Sequence, residues 1–128
     1  MNVLDENIIA SQRKQLESWK IHFRRIGDEV GHLGMKDMDE IIPLLHALHR
    51  PTFFTMDEDF YRPQLLHAGY CLVYLDVYPD EAAQYIRRFL RFKGFRTQAQ
   101  RMGKVIRLRH TEMDYRQIGI QKEIAIHW

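Results

Sequence analysis

Thr52-Phe53-Phe54-Thr55-Met56-Asp57-Glu58-Asp59-Phe60 passes from four residues suited to a buried strand straight into three carboxylates. Val3-Leu4-Asp5-Glu6-Asn7 repeats that order at the start of the chain. In an α/β sheet, parallel strands bring their C-terminal ends to one common edge, where such folds bind ligands. Carboxylates gathered there without Lys or Arg between them repel one another. A divalent cation with oxygen ligands is the usual reason to collect them.

Working outward, Asn2 to Asp5 reads as a minimal buried strand and Asn7 to Trp19 as a helix with Ile8, Ile9, Leu16 and Trp19 on one stripe. Ile21 to Ile26 alternates as a second strand, followed by a loop punctuated by Gly27, Gly31 and Gly34. Met38 to His49 carries Ile41, Leu44, Leu45 and Leu48 at helical spacing, and Asp37 and Glu40 have the D-x-x-E spacing of a capping box. Pro43 lacks the N–H that a helix interior needs, so a loose turn over 37–41 is expected, with a regular helix from about Pro43. Thr52 to Thr55 is the third strand. Tyr70 to Val77 is the fourth, apolar on both faces and therefore central. Asp80 to Phe92 is an amphipathic helix, Val105 to Leu108 a fifth strand, and Met113–Ile118 with Glu123–Trp128 a terminal β-hairpin around Gly119. Strands alternating with helices over the first hundred residues predict a mainly parallel α/β sheet. At 128 residues the chain is expected to be a single domain, 1–128.

The overall charge of +2 hides a strong polarity. Residues 1–81 hold 14 Asp and Glu against 8 Lys and Arg, a net of −6, whereas residues 82–128 hold 3 against 11, a net of +8. A polyanion held by the second half and presented to a metal in the first would explain both features. A solvated basic helix face is the plainer alternative. The lone Cys71 lies inside an apolar run and reads as a buried small hydrophobe. No apolar run approaches the roughly 20 residues of a membrane span. A cytoplasmic setting without a membrane partner is expected.

The carboxylates are the best candidates for chemistry. Asp5 and Asp57 fall at inferred strand ends, Asp59 lies two residues beyond, and Asp37 and Asp39 stand where the glycine loop meets the second helix. Mg²⁺ takes one or two carboxylates directly and holds others through water. Such ions clamp the attacking and leaving oxygens of a phosphodiester. Capping is the cheaper explanation for any one of these residues, and a weaker one for several at a single sheet edge. The seven histidines are scattered without zinc spacing, no G-x-S-x-G elbow occurs, and the glycines do not follow a dinucleotide or phosphate-loop pattern. Arg87, Arg88 and Arg91 on the outer face of the 80–92 helix are candidate RNA phosphate contacts, and Tyr61 is a candidate base-stacking ring beside the acidic site.

Leu4-Asp5-Glu6-Asn7-Ile8 resembles the opening "L-D-E-N-(L/I)" of small bacterial PIN-like domains, which are often encoded as toxins. Ile26-Gly27-Asp28, Gly34 and Asp37-Met38-Asp39-Glu40-Ile41-Ile42 resemble their "v-G-…-G-…-D-x-E-I". Thr55-Met56-Asp57-Glu58-Asp59-Phe60 resembles "T-x-D-x-D-F", and His67-Ala68-Gly69-Tyr70-Cys71-Leu72-Val73 resembles "h-x-G-i-v-x-l". The similarity covers roughly residues 1–92. It implies a PIN-like three-layer sandwich and Mg²⁺- or Mn²⁺-dependent cleavage of RNA. Asp5 would be the first ligand, Asp57 and Asp59 the last pair, and either Asp37 or Asp39 the middle one. Asp5, Asp39, Asp57 and Asp59 would form the catalytic set. The implied role is the toxin of a toxin–antitoxin pair, with RNA and an antitoxin protein as partners and a homodimer compatible with it. The alternative is an inactive PIN-like module that binds nucleic acid or protein.

Overall fold

A computed structural model describes residues 1–35 and 38–128. Seven strands form one sheet: β1 (Asn2–Leu4), β2 (Arg24–Arg25), β3 (Thr52–Thr55), β4 (Cys71–Leu75), β5 (Lys104–Leu108), β6 (Glu112–Gln117) and β7 (Ile124–His127). Their spatial order is β2-β1-β3-β4-β5-β6-β7. The first five are mutually parallel, with Val3 beside Phe53, Phe53 beside Leu72 and Leu72 beside Val105. β6 pairs antiparallel with β5, and β7 antiparallel with β6.

Side-chain alternation along these strands builds two cores. Leu4, Phe54, Val73 and Ile106 point to one face, where helices α1 (Ala10–Ser18) and α3 (Ala82–Arg91) contribute Leu16, Ile86 and Phe89. Val3, Phe53, Leu72 and Val105 point to the other, where α2 (Met38–Ala47) contributes Ile41 and Leu45. The central strands read as continuous apolar runs because helices cover both faces. No helix among the described residues is long and apolar enough to cross a membrane.

The second helix departs from expectation. From Met38 it runs unbroken through Pro43 to Ala47. The bond lost there would have joined residue 43 to the Asp39 carbonyl, a cost of about 3 kcal/mol. Ile41 and Leu45 are fully buried, and each stabilises the helix by roughly 1.5–3 kcal/mol, which offsets it. The second strand is shorter than its alternation suggests, because Ile21 and Phe23 pack down onto the α1–α3 core before the chain reaches the sheet edge. A short helix, α4 (Gln98–Arg101), precedes β5. It is closed by a capping box in which Gln100 N–H donates to Thr97 Oγ1 (3.2 Å) and Thr97 N–H donates to Gln100 Oε1 (3.0 Å).

Candidate acidic site at the carboxyl edge of the sheet

The strand order places β2 and β3 on opposite sides of β1. The connections that leave β1 and β3 therefore diverge, one through α1 to β2 and the other through residues 56–70 to β4, which makes the C-terminal ends of β1 and β3 the switch point of the sheet. Asp5 immediately follows β1 and Asp57 lies two residues beyond β3.

Asp5 is 5% exposed. Its Oδ1 accepts from Glu6 N–H (2.8 Å) and its Oδ2 from the Thr55 hydroxyl (2.7 Å). The same hydroxyl accepts from Asp57 N–H (3.0 Å) and from Asn7 Nδ2 (3.2 Å), while Asn7 Oδ1 accepts from Met56 N–H (3.1 Å). One side chain thus ties together the two loops that leave β1 and β3. Burial raises the Asp5 carboxyl above its ordinary value; its two hydrogen bonds oppose the shift, and the charges of Asp57 and Glu6 add to it. Among the described residues no basic side chain offsets this buried carboxylate.

Glu6 extends the acidic rim. Its Oε1 accepts from Gly34 N–H (2.9 Å). Gly27, at φ +89°, gives that oxygen room, since a Cβ there would stand 2.6 Å from it. The glycine loop therefore closes over Glu6, a residue that sequence reasoning did not place in the site. Thr55 was missed too, although the "T-x-D-x-D" spacing contained it.

Beyond Asp5 and its neighbour Asp57, the acidic candidates are not gathered in. Asp57 Oδ1 accepts from Asp59 N–H (2.9 Å), capping the 3₁₀ turn Glu58–Phe60. Asp59 pairs with Arg62 (3.1 Å) at the surface. Asp39 is exposed in the first turn of α2, and Asp37 lies outside the described residues. Among the described residues, no three Asp, Glu, His or Cys side chains converge closely enough to hold a metal ion.

The proposed RNA contacts are engaged elsewhere. Arg87 stacks on Trp19, 3.7 Å from the ring centroid, and Arg88 on Trp128 at 4.1 Å while donating to the His110 carbonyl (3.1 Å). Arg91 is exposed. Because α3 returns antiparallel to the strands, Arg91 lies toward their amino ends, away from Asp5. Nearer the acidic edge, Arg107 pairs with Asp76 (2.6 Å), and Arg109 with Glu112 (2.8 Å) and Asp114 (2.7 Å). Tyr61 packs on the α2-side core with its hydroxyl buried and without a hydrogen bond, near Glu123 and Asp114. Burial, reinforced by those charges, raises the pKa of its phenol and disfavours ionisation. Cys71 is sealed in the core, its thiol pushed up to about 12 by burial, and is inert as a nucleophile.

Fold and site together define a doubly wound α/β domain with acidic residues at its switch point. No family model, curated protein or solved structure matches the chain.

Proposed function

We propose that the protein is a Mg²⁺- or Mn²⁺-dependent endoribonuclease on a PIN-like three-layer sandwich closed by a C-terminal hairpin, acting as a toxin countered by an antitoxin protein in the cytoplasm. The observation that carries this reading is Asp5, a buried carboxylate without a cationic partner among the described residues, at the switch point and beside Asp57. The donor set fits a hard cation that takes one or two carboxylates and keeps its waters. Each carboxylate oxygen of Asp5 accepts one hydrogen bond and so retains a further lone pair.

Asp5 and Asp57 would hold the ion. When bound, it supplies Lewis-acid activation of water and neutralises phosphodiester charge. Thr55 fixes the orientation of Asp5 and the height of the Asp57 backbone, and Asn7 pins the loop between them. Glu6, held by the Gly34 amide, adds negative charge to the rim.

Two observations favour a second reading, an inactive module that binds nucleic acid or protein. Local bonds account for Asp57 and Asp59 without metal. Arg91 of α3 also lies away from the acidic edge.

Titrating Mn²⁺ into wild type and Asp57→Asn separates the readings. Under the first, the cation raises the wild-type melting temperature and supports cleavage of single-stranded RNA, and the substitution abolishes both. A ligand at about 100 times its Kd stabilises by about 2.7 kcal/mol, a readily measured shift. A wild-type melt indifferent to metal favours the module.

A further inference from the structure

A second feature is a cleft away from the acidic edge. It has a volume of about 540 Å³ and opens at the amino edge of the sheet, where Asn2, Phe23, Arg24, Gln98 and Arg101 line it together with Glu29.

Arg101 is the unusual feature. It is only 6% exposed, yet no carboxylate pairs with it among the described residues. Its Nε donates to Thr52 Oγ1 (3.0 Å) and its Nη1 to the Phe95 carbonyl (2.8 Å), both neutral. Nη2 makes no hydrogen bond to the described residues, and Arg101 lines the cleft. A buried cation is costly unless an anion meets it. Burial accordingly lowers its affinity for the proton.

Positive charge is concentrated at this edge. Arg24 begins β2, Arg50 precedes β3, and Lys104 begins β5. Arg24 on the edge strand and Arg101 on α4 both line the cleft, with Glu29 the one acidic residue among the described residues lining it. Two arginines lining one cleft suit a ligand with more than one negative charge, and the planar fork of a guanidinium fits phosphate oxygens. The volume exceeds what an inorganic anion needs and falls within the range for small organic ligands. Phe23 supplies an aromatic wall, and Asn2 and Gln98 supply amides.

We propose that this cleft binds a small organic phosphate of mononucleotide size, its phosphate held by Arg101 and Arg24 and its organic part set against Phe23. The inference rests on no reading of the acidic edge.

Calorimetric titration of the full chain with AMP, inorganic phosphate and adenosine, in buffer containing a metal chelator, tests it. AMP should bind saturably, inorganic phosphate roughly tenfold more weakly, equivalent to about 1.4 kcal/mol, and adenosine without saturation. Arg101→Lys, which keeps the charge and loses the fork, should weaken AMP binding. Arg101 also clamps Thr52, so Arg24→Gln at the exposed edge strand serves as the second variant and should weaken AMP binding several-fold with an unchanged melting temperature. Three results would overturn the proposal: no saturable AMP binding to wild type, inorganic phosphate binding as tightly as AMP, or undiminished AMP binding in Arg24→Gln.

Discussion

Thr55 uses its whole hydrogen-bonding capacity, donating one proton to Asp5 and accepting two from Asp57 N–H and Asn7. Thr55→Val keeps the shape and strips all three bonds, leaving buried polar partners unmet. A loss of about 1–3 kcal/mol in urea unfolding is expected, and a loss below that range would mean water replaces the hydroxyl. Asp5 gives a pH signature. Burial raises its folded pKa above the ordinary aspartate value, so the native state holds that proton more tightly than the unfolded chain. Stability falls as pH rises from near that value through the folded pKa. The melting temperature of Asp5→Asn minus that of wild type should therefore grow as pH rises from acid to neutral. A flat difference across a set of melts would show that burial does not strain the carboxylate. Asp5 and Asp57 were legible in the sequence because each follows an apolar run. The Thr55 hydroxyl was not, because in such a run a threonine counts as a strand former and nothing local reveals that its oxygen bridges to residue 5. Glu6 escaped for a related reason: its partner is the backbone of a loop 28 residues away.

Among the elements, α3 shows a helix whose buried face was legible and whose outer contacts were not. Its amphipathic stripe was readable, and Ile86 and Phe89 are buried as the spacing requires. Its outer arginines were read as phosphate contacts or a solvated face, and Arg87 and Arg88 lie on indole rings contributed by Trp19 and Trp128, residues far away in sequence. Arg88→Ala should cost about 1 kcal/mol and alter the emission of Trp128. An unchanged spectrum and melt would return Arg88 to the solvent. The Thr97–Gln100 capping box was present as a T-x-x-Q pattern, yet four residues are too few for helical periodicity to register. Pro43 misled in the opposite direction, since local backbone cost was visible and the burial of Ile41 and Leu45 was not.

For the whole molecule, alternating strands and helices predicted the parallel sheet, but not its order. Whether a strand joins to the left or right of its predecessor depends on which face the crossover helix covers, and this is a tertiary choice. That order nonetheless sets the local stabilities. β1, β3, β4 and β5 are paired on both sides between two apolar layers, whereas β2 has two residues and β7 pairs on one side only. Native-state hydrogen exchange should find amides of the four central strands opening only with global unfolding, of the order of 5–15 kcal/mol. The outward amides of β7 should exchange much faster, and uniform protection across the sheet would contradict this.

The two free margins of the sheet have unequal consequences for self-association. On the β2 side, Arg24 and Arg25 occupy a strand too short to template another, and they repel a like copy. On the β7 side, Ile124 to His127 offers four residues of unpaired backbone. Two chains meeting there antiparallel would each use the same margin and so exhaust it. Strand addition through this margin therefore terminates at a closed pair.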